Sequence, residues 1–107
     1  MTTFDKRKDA FENKFAHDAE LQFKAEARRN KLVGLWAAGL LGKTGADAEA
    51  YAKAVIAADF EKAGESDVFA KIRRDFDAAG VQQSDHQIRR TMDELMQTAI
   101  TQIGHES

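Results

Sequence analysis

Apolar side chains recur along this chain every three or four residues, and glycines, never prolines, punctuate the recurrence. That period belongs to helices with one face turned to a core. Gly42 with Gly45, then Gly64, Gly80 and Gly104 divide the chain into segments. The first predicts a helical stretch over about Phe4 to Leu41, with Leu21, Ala25, Leu32, Leu35 and Trp36 as its core stripe. The second, about Ala46 to Glu61, turns Tyr51, Val55 and Ala58 inward with Ile56 close by, after a capping box at Thr44-Gly45-Ala46-Asp47. The third, about Asp67 to Ala79, has Ser66 as N-cap and Gly80 at C′, with Phe69, Ile72, Phe76 and Ala79 on its apolar face. The fourth, about Asp85 to Ile103, opens on the capping box Ser84-Asp85-His86-Gln87. It carries the cleanest stripe: Ile88, Met92, Leu95, Met96, Ala99, Ile100 and Ile103. No segment alternates strictly with β-branched enrichment, so no sheet is expected. Short loops favour antiparallel neighbours, and the expected fold is all-α: a four-helix bundle with a flexible or extended N-terminal helical arm.

The arm follows from two stripes that do not line up. Phe4, Phe11 and Phe15 are spaced seven and four residues apart and share one helix face. Carried onward at about 100° per residue, the Leu21 to Trp36 stripe lies roughly a quarter-turn away. One straight helix could not bury both in one bundle. Either the chain bends near Ala16 to Asp18 and folds its phenylalanines back onto the domain, or the arm is labile alone and becomes helical in a partner's groove. Asp5, Lys6, Arg7, Lys8, Asp9, Glu12 and Lys14 would keep it dissolved and steer docking. Thr2-Thr3-Phe4-Asp5 offers a capping box at its start. The division is then an arm over residues 1–17 and a bundle over 18–107.

Composition narrows the function classes. A chain of 107 residues is one domain, and a net charge of -2 argues against a protein that grips nucleic acid through phosphates. The absence of cysteine removes disulfides and thiolate metal sites. Met1 to Arg7 has no apolar run behind its charges, and Leu32 to Gly42 is about half of what spanning a bilayer requires. Neither a signal peptide nor a membrane span is expected.

Several motifs resemble chemistry without supplying it. Ala37-Ala38-Gly39-Leu40-Leu41-Gly42-Lys43-Thr44 fits a relaxed phosphate-loop pattern, but that loop needs a strand before it, and here a helix precedes. It reads as a helix C-terminus and turn. The basic groups Arg28-Arg29-Asn30-Lys31, Arg73-Arg74 and Arg89-Arg90 sit among carboxylates and read as solvated, ion-paired surface. Arg28 falls in the core stripe, so its stem should pack while its head reaches water. His17, His86 and His105 are too far apart to form a ligand set, and no metal is expected. His17 lies at the expected bend, where protonation between about pH 6 and 7 would tune docking. No nucleophile has a recognisable acid–base partner, so no enzyme is expected.

Three stretches together resemble one family: Phe4 to Asp18, Ala25 to Ala38, and His86-Gln87-Ile88-Arg89-Arg90-Thr91-Met92-Asp93-Glu94-Leu95. Their order and spacing are similar to the zeta-type inhibitor subunit of alphaproteobacterial ATP synthase, and the likeness covers essentially the whole chain. The resemblance implies a non-catalytic inhibitor of ATP hydrolysis, with an arm that turns helical and wedges between α and β subunits near the central γ stalk. The inhibitory region maps onto about Thr2 to His17. Phe4, Phe11 and Phe15 would be its anchors and Asp5, Arg7, Lys8 and Glu12 its rim, with Lys14 and His17 beside them. The implied protein is a monomer when free, cytoplasmic, and peripheral to the inner membrane through the synthase. It requires no cofactor. The alternative expectation is a small regulatory module whose bundle binds ATP or ADP weakly, through Lys43 or the arginine pairs.

Overall fold

The structure, a computed structural model, describes the backbone of residues 3–61 and 65–106 and the side chains of residues 10–59 and 67–106. It is all-helical, with five helices and no strand among the described residues: α1 (Thr3–His17), α2 (Ala19–Leu40), α3 (Gly45–Glu61), α4 (Glu65–Ala79) and α5 (Asp85–Glu106). The single helical stretch expected before Gly42 is therefore two helices, and the break falls at Asp18. Extended backbone there (φ -115°, ψ 104°) lets the carboxylate cap α2, accepting the Glu20 and Leu21 amides at 3.0 and 3.2 Å. Gln22 donates back to the carbonyls of Phe15 and Ala16 at 3.1 and 3.3 Å, satisfying the free end of α1.

Helix α2 is central. It packs along α3 on one side and α5 on the other, α4 bridges α3 and α5, and α1 lies against α2. The main core joins Val33, Ala37 and Ala38 of α2 to Tyr51 and Val55 of α3, Val68, Ile72 and Phe76 of α4, and Ile88 and Met92 of α5. Trp36 closes over it, edge-on to Phe76 with ring centroids 5.6 Å apart. The approach of α2 to α3 depends on a glycine: a Cβ on Gly34 would lie 2.6 Å from the Ala52 Cα.

The stripe of α2 differs from the expected one. Its buried face runs Leu21, Ala25, Arg29, Asn30, Val33, Gly34, Ala37 and Ala38, whereas Leu35 is exposed. Small residues won the interface because they let the backbones approach, and the larger leucine was left outside. Arg29, not Arg28, is the arginine drawn fully in, its Nε and Nη2 donating to the Asn30 side-chain oxygen at 3.1 and 2.9 Å. In α4, Val68 is buried and Ala79 exposed, against expectation.

The helix ends repeat two devices. Gly42 (φ 78°) and Gly80 (φ 72°) close α2 and α4 in the left-handed conformation. At each, the next residue's amide reaches five residues back, Lys43 to Ala38 at 2.8 Å and Val81 to Phe76 at 2.9 Å. The phosphate-loop look-alike is therefore a helix terminus. The Ser84 box forms as expected, Ser84 N–H to Gln87 Oε1 at 2.8 Å and Gln87 N–H to Ser84 Oγ at 3.1 Å. At α3 the bonds are backbone ones, from the Asp47 and Ala48 amides to the Thr44 carbonyl. Ser66 lies inside α4 rather than before it. The box expected at Thr2 to Asp5 lies outside the described side chains. Gly104 does not end a helix; α5 continues through it to Glu106.

Candidate functional site

Helix α1 carries every residue that the sequence marked for docking. Phe4, Asp5, Arg7 and Lys8 lie in it, with side chains outside the described residues. Glu12, Lys14 and His17 are exposed, and Phe11 and Phe15 are half-buried. Of the two arrangements open to the arm, this is the folded-back one. Phe11 and Phe15 pair at 6.2 Å between centroids and pack with Met96 and Ile100 against Leu21, Ala25 and Ile103. This second cluster is separate from the main core. It stands at the far end of α2, where α5 finishes.

The break at Asp18 reconciles the two stripes. A continuous helix would have carried the phenylalanine face away from the Leu21 face, and the extended residue resets the direction so that both meet over the end of α5. Gly104 admits the ring: a Cβ there would stand 3.2 Å from both Cδ2 and Cε2 of Phe11. The seat itself is braced. Arg28 donates to Gln102 at 2.8 Å and to both carboxylate oxygens of Glu106 at 2.8 and 3.0 Å, tying α2 to the last turn of α5. That hydrogen bond from Arg28 holds the Glu106 carboxyl below its ordinary range. Arg28 thus packs its stem and keeps its head outward, as expected.

Beside the joint, Ala10, Asn13, Lys14, His17, Asp18, Ala19 and Glu20 border a shallow open groove. A second concavity lies at the other end of the body, bordered by Leu41, Lys43, Tyr51, Lys71, Asp75, Ala78 and Ala79. Within it the Tyr51 hydroxyl and the Lys71 ammonium both donate to Asp75 Oδ2, at 2.8 and 3.0 Å. The ammonium groups of Lys71 and Lys43 stand 5.1 and 6.0 Å from the Tyr51 ring centroid. Burial and then the bond to Asp75 push the Tyr51 phenol well above the usual tyrosine value. Burial also pushes Asp75 up, but the bonds from Tyr51 and Lys71 and the charges of Lys71 and Arg74 outweigh it and leave that carboxyl lowered.

The remaining arginines are mostly committed. Arg73 bonds Asp77, Asp85 and the Gln83 carbonyl, Arg90 pairs with Glu94, and Arg89 lies 4.0 Å over the Phe69 ring. Among the described residues no group of His, Asp and Glu could hold a metal ion, and no helix is long and apolar enough to cross a membrane. Sequence reasoning missed Gly104 as a seat, because glycine was read as punctuation, and missed the Tyr51–Asp75 tie, because its partners are 24 residues apart.

One solved protein, described as a solution NMR structure, is 47% identical and superposes with a TM-score of 0.71, over 81% of this chain and 99% of that one. No curated protein matches the chain. A family model described as ATPase inhibitor subunit zeta matches residues 1–102, which takes in α1, the joint at Asp18 and α5 as far as Gln102. The chain therefore belongs to the ATPase inhibitor subunit zeta family, as a regulatory and non-catalytic subunit whose partner is the ATP synthase.

Proposed function

We propose that residues 1–17 are the inhibitory element and that α2 to α5 form a four-helix bundle serving as its anchoring body. In this reading the arm leaves the body and wedges as a helix at an α/β interface of the catalytic head, near the γ stalk. Phe4, Phe11 and Phe15 enter apolar pockets that are dry only in the complex, and Asp5, Arg7, Lys8 and Glu12 pair at the rim, flanked by Lys14 and His17. The observation that carries this is the joint at Asp18, which makes α1 a helix hung on the body rather than built into its main core. Tethering keeps the arm at high local concentration once the body is attached. The protein works in the cytoplasm at the inner membrane face, as a monomer when free, with no nucleic-acid partner and no required cofactor.

The test is ATP hydrolysis by the cognate catalytic head, with the full chain and with a chain lacking Met1 to His17. The full chain should inhibit and the shortened one should not. Equal inhibition by both would move the function off the arm, and inhibition by neither would overturn the reading.

A second reading, weak ADP or ATP binding by the body, is favoured by one place. In the concavity at Lys43 and Lys71 two cations flank an aromatic ring over an apolar wall, which suits a phosphate beside a base. Backbone chemical shifts at Lys43, Tyr51 and Asp75 should move on ADP titration. Unmoved shifts would remove this reading.

A further inference from the structure

The same two rings that would anchor the arm in a partner are occupied here. Phe11 and Phe15 lie on a shelf made by Leu21, Ala25, Met96, Ile100 and Ile103, and Gly104 leaves the space in which Phe11 sits. A ring cannot fill this seat and a pocket of the catalytic head at once. We propose that the shelf is an intramolecular docking site for Phe11 and Phe15 that competes with the catalytic head, so that the form described here is the closed, non-inhibiting one. The proposal rests on the wedge reading above and adds its regulation.

Three features fit a reversible clasp. Both rings are only half-buried, so the seat grips without sealing. The shelf does not need the arm for its shape, because Arg28 clamps Gln102 and Glu106 and so fixes the end of α5 to α2. At the joint, the end of α1 is held by the exposed Gln22 side chain and by one long backbone bond, the Asp18 amide to the Phe15 carbonyl at 3.4 Å, and water can replace the Gln22 bonds. When only the open fraction can dock, the apparent affinity for the head is the intrinsic affinity scaled by that fraction. A body residue that touches no partner would thereby set inhibitory strength.

Gly104→Leu in the full chain tests this, because it fills the seat and leaves the arm's own sequence intact. Three quantities are compared with the parent: the concentration giving half-inhibition of ATP hydrolysis by the head, the rate of tryptic cleavage after Lys14, and Trp36 fluorescence. Trp36 reports the main core, away from the shelf, and should be unchanged. Cleavage after Lys14 should quicken and half-inhibition should fall about three- to tenfold, the range expected when a mostly closed population opens. Ile100→Ser, which thins the shelf from a different residue, should move both in the same direction. Quicker cleavage with unchanged half-inhibition would overturn the competition. Unchanged cleavage in both variants would overturn the seat. Loss of inhibition by parent and variants alike would sink the wedge reading and the regulation with it, while cleavage at Lys14 would still report whether the arm is clasped.

Discussion

Tyr51 ties α3 to α4 through one bond, its hydroxyl to Asp75 Oδ2 at 2.8 Å. Tyr51→Phe keeps the ring in the core and removes only that bond. A partly buried bond to a charged acceptor contributes about 1–2 kcal/mol, so urea unfolding at neutral pH should show a loss of that order. The pH dependence follows in sign. The folded-state phenol is raised, so its contribution is whole below the unfolded value of about 10 and is lost as pH climbs beyond it. The gap between wild type and Tyr51→Phe should therefore narrow above about pH 10. A gap that stayed constant would show that the phenol is not held by Asp75, and the chain's single tyrosine makes its own titration readable. None of this was legible in sequence, where Tyr51 reads simply as an inward aromatic. Periodicity reports which face a residue occupies and is silent on which distant carboxylate meets its hydroxyl. Arg28 shows the complementary case: its snorkelling followed from its place in the stripe, but the buried neighbour Arg29 did not, because a charged residue is discounted as core before its partner is known.

Between elements, α2 comes close to α3 at Gly34. Alanine is favoured over glycine in a helix by about 1 kcal/mol, whereas forcing a methyl into a filled interface costs about 1–3 kcal/mol. The neighbour at 2.6 Å is the Ala52 backbone, which cannot swing aside, so the steric cost should win. Gly34→Ala should lower stability to denaturant, while Gly39→Ala, on the same helix with open space around it, should raise it slightly. Stabilisation by both would mean that the helices are not in contact there. Two glycine ends and the Ser84 box were readable, because they are local chemistry, whereas the count fell one helix short and Ser66 proved to lie inside α4. The α2 stripe was less readable. Leu32, Leu35 and Trp36 carry more apolar area than Val33, Gly34, Ala37 and Ala38, yet close packing selects by size, and that choice is made only when α3 arrives. A bend near Ala16 to Asp18 was one of the two arrangements that the mismatch of the stripes left open, and its residue was settled by a carboxylate able to cap α2.

Across the molecule, the described residues form two apolar clusters of unequal depth, a main core spread over α2 to α5 and a shelf that receives α1. Local opening should follow this division. Amides of α1 should exchange with solvent much faster than those in the middle of α2 and α5, and native-state hydrogen exchange should separate the two groups cleanly. Equal protection would mean that arm and body open as one unit, which the clasp cannot accommodate. That the arm was special could be read from its phenylalanine spacing; where it rests alone could not, because the seat is a glycine near the other terminus, close to it only once α2 and α5 are aligned. The joint at Asp18 has a mechanical consequence besides. An unbroken helix carries bending moment along its length, and gripping its tip would lever apart whatever its base is built into. A single extended residue carries tension but little torque. An arm seized by a turning rotor would therefore pull on α2 along the chain, loading its cap first, while the body stays free to pivot and keeps its core unstressed.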